Sequence, residues 1–158
     1  MRRNEIRAIM SETAVSILER LAFVFSFPAE EEILEVSGQD RVQAGVCFDG
    51  PMRGILWIEL PQERLKELTS NMLGLAEGQI SPELERDGLG EIINVICGNL
   101  LPRLAGETSI FTIGAPVFAA PGDGLPLIRP EGESVEAVLD LDGGVCRLNL
   151  HVEERILD

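Results

Sequence analysis

The chain has no tyrosine, one histidine, one tryptophan and three cysteines among its 158 residues. Each scarcity narrows the chemistry on offer. A serine–histidine–acid or cysteine–histidine enzyme would have to use His151. That residue falls at an outward position of the last strand pattern, with nothing near it to build such a site, and is expected at the surface. Cys47, Cys97 and Cys146 are far apart, odd in number and set in apolar stretches, with no CxxC or Cys/His spacing. They predict buried free thiols in a reducing cytoplasm rather than a zinc site, and no metal is expected on this chain. Bases are scarce too. Thirteen Lys and Arg face 27 Asp and Glu, a net charge of −14, and only Arg2 and Arg3 are adjacent. Nucleic acid is therefore not an expected partner, because neutralising phosphates needs a clustered basic face. A long apolar run is also missing. Glu5, Ser11-Glu12-Thr13 and Glu19-Arg20 interrupt the first apolar stretch, which argues against a leader or a membrane span.

What remains is 45% hydrophobic, enough for a substantial core, and the length predicts one domain over residues 1–158. The first helix is expected from about Asn4 to Ala22, with Ile6, Ile9, Met10, Thr13, Ile17 and Leu21 near one face. Phe23 to Phe27 is strongly apolar and Pro28 closes it; Glu31 to Val36 reads as a strand. Val42, Ala44, Val46 and Phe48 alternate, turn through Asp49-Gly50-Pro51-Met52-Arg53, and continue as Leu56, Ile58 and Leu60. This connection pairs 46 with 56, 44 with 58 and 42 with 60. Pro61 opens a second helix lined by Leu65, Leu68, Met72 and Leu73, with Gly74 at its end. Ser81 caps a long third helix with Pro82 at its first position, and Pro102 bends or ends it. Ile110 to Val117 reads as extended and broken by Pro116, 119–124 as loop, and Leu125 to Arg129 as a short strand. A final hairpin alternates through Val135, Ala137, Leu139 and Leu141, turns, and returns through Cys146, Leu148, Leu150 and Val152. A two-residue Gly-Gly loop there sets 141 opposite 146 and 139 opposite 148. Helices with antiparallel hairpins make the class α+β, and the chain reads as two similar halves, each a helix followed by strands.

The third helix carries the most specific pattern. Asp87, Glu91, Asn94 and Gly98 fall at offsets 0, 4, 7 and 11, one stripe of two carboxylates, one carboxamide and a glycine that lets another surface come close. Leu89, Ile93, Ile96 and Leu100, widened by Ile92, Cys97 and Leu101, form the opposing apolar stripe. A polar face opposite an apolar one is common in any half-buried helix. Here Gly88 and Gly90 beside the stripe each cost roughly 1 kcal/mol relative to alanine, and Asn94 is a poor helix former, which points to selection for the surface.

Asp87-x3-Glu91-x2-Asn94, followed about twenty residues later by Pro116, resembles the signature of the CheC–CheX–FliY phosphatases of bacterial chemotaxis. The run from Gly90 to Asn99 is similar to their active helix, and Phe48-Asp49-Gly50-Pro51-Met52-Arg53-Gly54-Ile55-Leu56 resembles their F-x-G…G-x-L turn. One intact motif points to CheX, since the matching positions of the first helix are Val15, Glu19 and Ala22. The resemblance implies a CheC-like fold with an antiparallel sheet, long packed helices and pseudo-two-fold halves. It implies hydrolysis of the aspartyl phosphate of a response regulator such as CheY. Asn94 would position the water, and Glu91 would dock on the regulator's lysine. Asp87, Gly90 and Gly98 would contact the partner. No cofactor is implied on this chain, the magnesium ion belonging to the regulator, and a homodimer is implied; the long strands of the final hairpin, Ser134 to Glu153, with one apolar face, are the sheet edges through which it is expected to join. The alternative is a non-enzymatic interaction or adaptor module of a flagellar switch or another two-component system.

Overall fold

Residues that alternate in sequence meet across one antiparallel sheet, and the apolar side of that sheet is closed by helices. A computed structural model describes residues 1–29, 40–119, 132–142 and 144–153; the strands expected at 31–36 and 125–129, and the loop at 120–124, lie outside them. The elements are α1 (Arg3–Ala22), β1 (Phe27–Pro28), β2 (Arg41–Asp49), β3 (Gly54–Pro61), α2 (Gln62–Leu73), α3 (Pro82–Ala105), β4 (Thr112–Ile113), β5 (Val117–Ala119), β6 (Glu133–Asp140) and β7 (Val145–Val152). The sheet order is β1-β6-β7-β3-β2-β4, with β5 also on β2. The order is symmetric about the β3–β7 pair. Each half contributes a two-stranded hairpin, and each lends a short segment to the other half's hairpin: β1 to β6, and β4 with β5 to β2. The class and the two-halved arrangement agree with the sequence reading.

The first hairpin has the expected register, Val46 on Leu56, Ala44 on Ile58 and Val42 on Leu60. The last does not. Leu139 faces Cys146 and Ala137 faces Leu148, a slip of two residues from the expected pairing. The turn is wider than a Gly-Gly loop: Leu141 N donates to Gly144 O at 2.7 Å, and Asp142 takes the left-handed conformation at φ 61°. A slip of two keeps every side chain on its own face, so the apolar pattern alone does not distinguish the two registers. β7 is an inner strand, lying between β6 and β3, while β6 is flanked by β1 only at its Leu139–Asp140 end.

The core gathers Ile6, Met10, Leu18, Leu56, Ile58, Leu89, Ile93, Ile96, Leu148 and Leu150 between the sheet and the helices. Ser81 caps α3 by accepting from Leu84 N at 3.2 Å, and Pro82 follows it. Pro102 does not end the helix, which runs on to Ala105 before Gly106. Gly74 caps α2 in the left-handed conformation at φ 67°, and Leu73 before it is exposed rather than lining the core. Arg103 ties α3 to α1 through Thr13 Oγ1 at 2.8 Å and Glu12 Oε2 at 2.7 Å.

Two single-residue expectations are corrected. His151 is 5% exposed, not at the surface. It does point away from the helices, but β7 is an inner strand, so Ile55 and Ser134 flank it on the neighbouring strands, and Ser134 Oγ lies 2.7 Å from its Nδ1. Cys47 is exposed rather than buried, being an outward residue near the end of β2. Cys97 and Cys146 are buried free thiols.

Burial pushes both of those thiols up to about 12 from 9.0. In the unfolded chain they ionise first, so the unfolded state holds fewer protons than the folded one between those values and stability falls as pH rises through that window. With no tyrosine and Lys66 as the one lysine, little else titrates there. The unfolding free energy from denaturant titrations should fall between about pH 8 and about pH 10.5, by about 2 kcal/mol per thiol over the range, with the slope approaching roughly 1.4 kcal/mol per unit for each thiol only near pH 10. Cys146→Ala should lose its share of that slope. A flat profile in the wild type would contradict the burial argument.

Candidate active site

The outer stripe of α3 stands as its spacing requires. Asp87, Glu91, Asn94 and Gly98 are all exposed, while Leu89, Ile92, Ile93, Ile96, Cys97, Leu100 and Leu101 are buried beneath them. Asp87 and Glu91 are about 6 Å apart along the axis, and Glu91 and Asn94 about 4.5 Å, from the rise of a helix. None of the three polar side chains makes a hydrogen bond or ion pair with a described residue. Their donors and acceptors are therefore open to a partner. At Gly98 an added methyl group would meet nothing within 4 Å, so that end of the stripe is flat and clear.

The two glycines beside the stripe are not surface residues, which corrects the reason given for their presence. Gly88 and Gly90 are both buried. A methyl group on Gly88 would stand 2.8 Å from Thr69 Oγ1, where α2 packs against α3. One on Gly90 would stand 3.2 Å from Pro116 Cγ and 3.3 Å from Phe118 Cζ. The helical cost of each glycine is offset by close packing. Gly90 thus supports the site indirectly, by seating the Pro116–Phe118 segment against the helix. That segment reaches α3 because β4 and β5 pair with β2, holding 112–119 alongside the helix.

Pro116 therefore sits next to the stripe, one residue along from Glu91 on the helix. Sequence spacing pointed to Pro116, but the wall it forms with Phe118 and Arg86 was missed. The Arg86 guanidinium lies 5.5 Å from the centroid of the Phe118 ring. No sequence signal marked this contact, since it depends on where β5 pairs.

The chemistry open to the stripe is restricted. Cys97 lies on the inner side of α3 with its thiol pushed up to about 12 by burial, so it is protonated at neutral pH and is no nucleophile. His151 is held on β7 within the sheet by Ser134. Among the described residues no group of three or more His, Cys, Asp or Glu is placed to hold a metal ion. Among them, too, no helix is long and apolar enough to cross a membrane. On the stripe itself the groups available are carboxylates and one carboxamide, which position and polarise but do not attack at neutral pH.

On α1 the matching positions are Val15, Glu19 and Ala22. Glu19 is exposed, but Ala22 is fully buried, so the site of the amide on α3 has no surface counterpart on α1.

A family model described as chemotaxis phosphatase CheX matches residues 42–129, which include α3 and the Pro116 segment. Comparison by sequence with curated proteins gives no match. Among solved structures, the chemotaxis protein CheX from Vibrio vulnificus is similar at 21% identity and a TM-score of 0.75, over 97% of this chain and 99% of that one. A CheX from Desulfovibrio desulfuricans is similar at 17% identity and a TM-score of 0.74, over 94% and 99%. The CheX of a CheX–CheY–BeF3–Mg2+ complex from Borrelia burgdorferi is similar at 19% identity and a TM-score of 0.67, over 93% and 97%. At these identities the likeness establishes the fold.

Proposed function

The chain belongs to the CheX family, and from that premise we propose that it is a cytoplasmic, single-domain phosphatase that hydrolyses the aspartyl phosphate of a CheY-like response regulator. The observation that carries this reading is the exposed Glu91–Asn94 pair, without a partner among the described residues, on a helix within the matched region. The Borrelia relative, solved with CheY and BeF3, supplies a partner of the right kind.

An aspartyl phosphate is a mixed anhydride. Its hydrolysis forms a bond from water oxygen to phosphorus, breaks the bond from phosphorus to the carboxylate oxygen, and releases inorganic phosphate and the regulator's aspartate. The main demand is a water held in line with the breaking bond. The Asn94 side-chain carbonyl accepts a hydrogen from that water while its NH2 donates to a phosphoryl oxygen. Holding the water in this way is worth several kcal/mol of barrier. Glu91, one turn back, pairs with the regulator's active-site lysine and sets the angle at which the helix meets it. Asp87 and Gly98 extend the contact along the stripe, with Gly90 acting through the wall it seats. Magnesium is held by the regulator. With a net charge of −14, docking on an acidic partner depends on close contacts rather than long-range attraction.

The reading is tested by phosphate release from a phosphorylated CheY-like regulator with and without this protein. A rise in release well above the regulator's own rate supports it. Release at the same rate, with each available regulator, would remove the enzymatic reading and leave the adaptor one.

We also propose a homodimer, joined at the β1 end of the sheet rather than through the final hairpin, whose β7 is an inner strand. Phe23, Phe25 and Phe27 alternate along an extended segment and are 70%, 66% and 63% exposed. They lead into β1 at one end of the sheet, while the segment beside the stripe pairs at the other end. Residues 21–29 carry no charge in an otherwise strongly acidic chain. Two copies can meet there through an apolar, uncharged face, and both stripes stay open. Light scattering should give about twice 17.3 kDa, and Phe25→Glu should return the monomer. A monomeric wild type at working concentration would refute the dimer.

A further inference from the structure

The wall beside the stripe carries a positive charge that no described residue neutralises. Arg41, Arg53, Arg64, Arg103 and Arg147 each hold a carboxylate of their own chain. Arg86 makes no hydrogen bond or ion pair with a described residue. Its guanidinium rests 5.5 Å from the centroid of the Phe118 ring, within range of a cation–π contact. Phe118 is in turn set against the helix at Gly90, where an added methyl group would stand 3.3 Å from its Cζ and crowd the ring. Gly90 lies four residues after Arg86, on the same face. The side chain is thus braced before any partner arrives, and less of its conformational freedom remains to be lost on docking. Both Arg86 and Phe118 are exposed.

This cation stands on the flank of a stripe whose ionised groups, Asp87 and Glu91, are acids. Arg86 precedes Asn94 by eight residues, about 12 Å along the axis. It is too far away to share the phosphoryl group that Asn94 addresses, yet it lies within the footprint of one docked protein domain. Its planar, always-charged fork suits a carboxylate, which it can hold through two parallel hydrogen bonds.

We propose that Arg86, braced on Phe118, is a specificity-determining residue of the phosphatase reaction. It takes a carboxylate on the surface of the phosphorylated receiver, off the phosphorylated aspartate and opposite the part of the helix about 12 Å along the axis from Asn94, and selects receivers that present one there. This rests on the phosphatase reading and adds a second, off-centre contact to it. Because the contact is the same in ground and transition states, it acts on KM and not on kcat.

The test uses the full chain with a CheY-like receiver that the wild type dephosphorylates, together with the same receiver loaded with BeF3 and magnesium for binding. Arg86→Gln keeps the stem and removes the charge. It should raise KM and the Kd for the BeF3-loaded receiver about tenfold, leave kcat at saturation unchanged, and flatten the dependence of both constants on ionic strength. Arg86→Lys should restore part of the affinity. Phe118→Leu should weaken binding in the wild-type background and add little to Arg86→Gln, because the two act as one unit. Melting curves check that each variant is folded. If the wild type is active and Arg86→Gln matches it in KM, Kd and salt dependence, the inference is overturned and the phosphatase reading stands. If the wild type binds the loaded receiver but releases no phosphate, the phosphatase reading falls, and the Kd series alone decides the contact at Arg86. If the wild type neither binds nor hydrolyses, both fall.

Discussion

Replacing Asn94 with alanine is expected to cut phosphate release by about 10²–10³-fold, toward the regulator's own rate, in a protein that melts as the wild type does. The side chain is exposed and makes no bond to a described residue, so its removal opens no cavity and orphans no buried group. Alanine is also the better helix former, so the helix gains rather than loses. The whole loss then falls on the water and the phosphoryl oxygen, which no other carboxamide of the stripe can serve. Glu19→Ala is the matching control. Its helix buries Ala22 where α3 presents Asn94, so phosphate release should be nearly unchanged. A folded Asn94→Ala protein with near-normal turnover would end the proposed mechanism, and a large loss at Glu19 would mean a second site on α1.

The parts of this protein that were legible in its sequence are those governed by local periodicity. The α3 stripe and its buried counterpart follow from 3.6 residues per turn, and Ser81-Pro82 marks where that helix begins. The first hairpin was readable down to its register because Val42, Ala44, Val46 and Phe48 meet a matching set across a turn of definite length. The last hairpin was readable in faces but not in register, because a slip of two leaves the faces unchanged. What local pattern cannot show is what stands above a residue. Gly88 and Gly90 looked like a surface concession until Thr69 and Pro116 were seen packed on them. His151 alternated outward, yet an inner strand buries residues on both faces. Phe23, Phe25 and Phe27 read simply as apolar, whereas all three face outward. The wall of Pro116, Phe118 and Arg86 depends on β5 pairing with β2, some seventy residues away in sequence. Candidate residues were thus found where one helix carries them, and missed where a distant strand supplies the neighbour.

Glu91→Ala is expected to weaken docking as well as turnover, and the way it does so separates a partner contact from a structural role. Glu91 is exposed with no partner among the described residues, so alanine there should leave the melting temperature close to that of the wild type. In the proposed complex the carboxylate would face the regulator's active-site lysine beside the phosphoryl group, and a charge pair removed from bulk water there would be worth more than one at an open surface. Losing it leaves that lysine without its counter-charge, so KM should rise and kcat should fall, the second because the helix no longer holds Asn94 at the angle of attack. The decisive measurement is a double-mutant cycle between Glu91→Ala and substitution of that lysine, read as binding of the BeF3-loaded regulator so that slow chemistry does not obscure it. If the two side chains touch, the double mutant loses less than the sum of the singles, with a coupling of roughly 1.5 kcal/mol or more. Additivity within a few tenths of a kcal/mol would place Glu91 elsewhere in the interface. It would also remove the angular constraint on which the positioning of Asn94 depends.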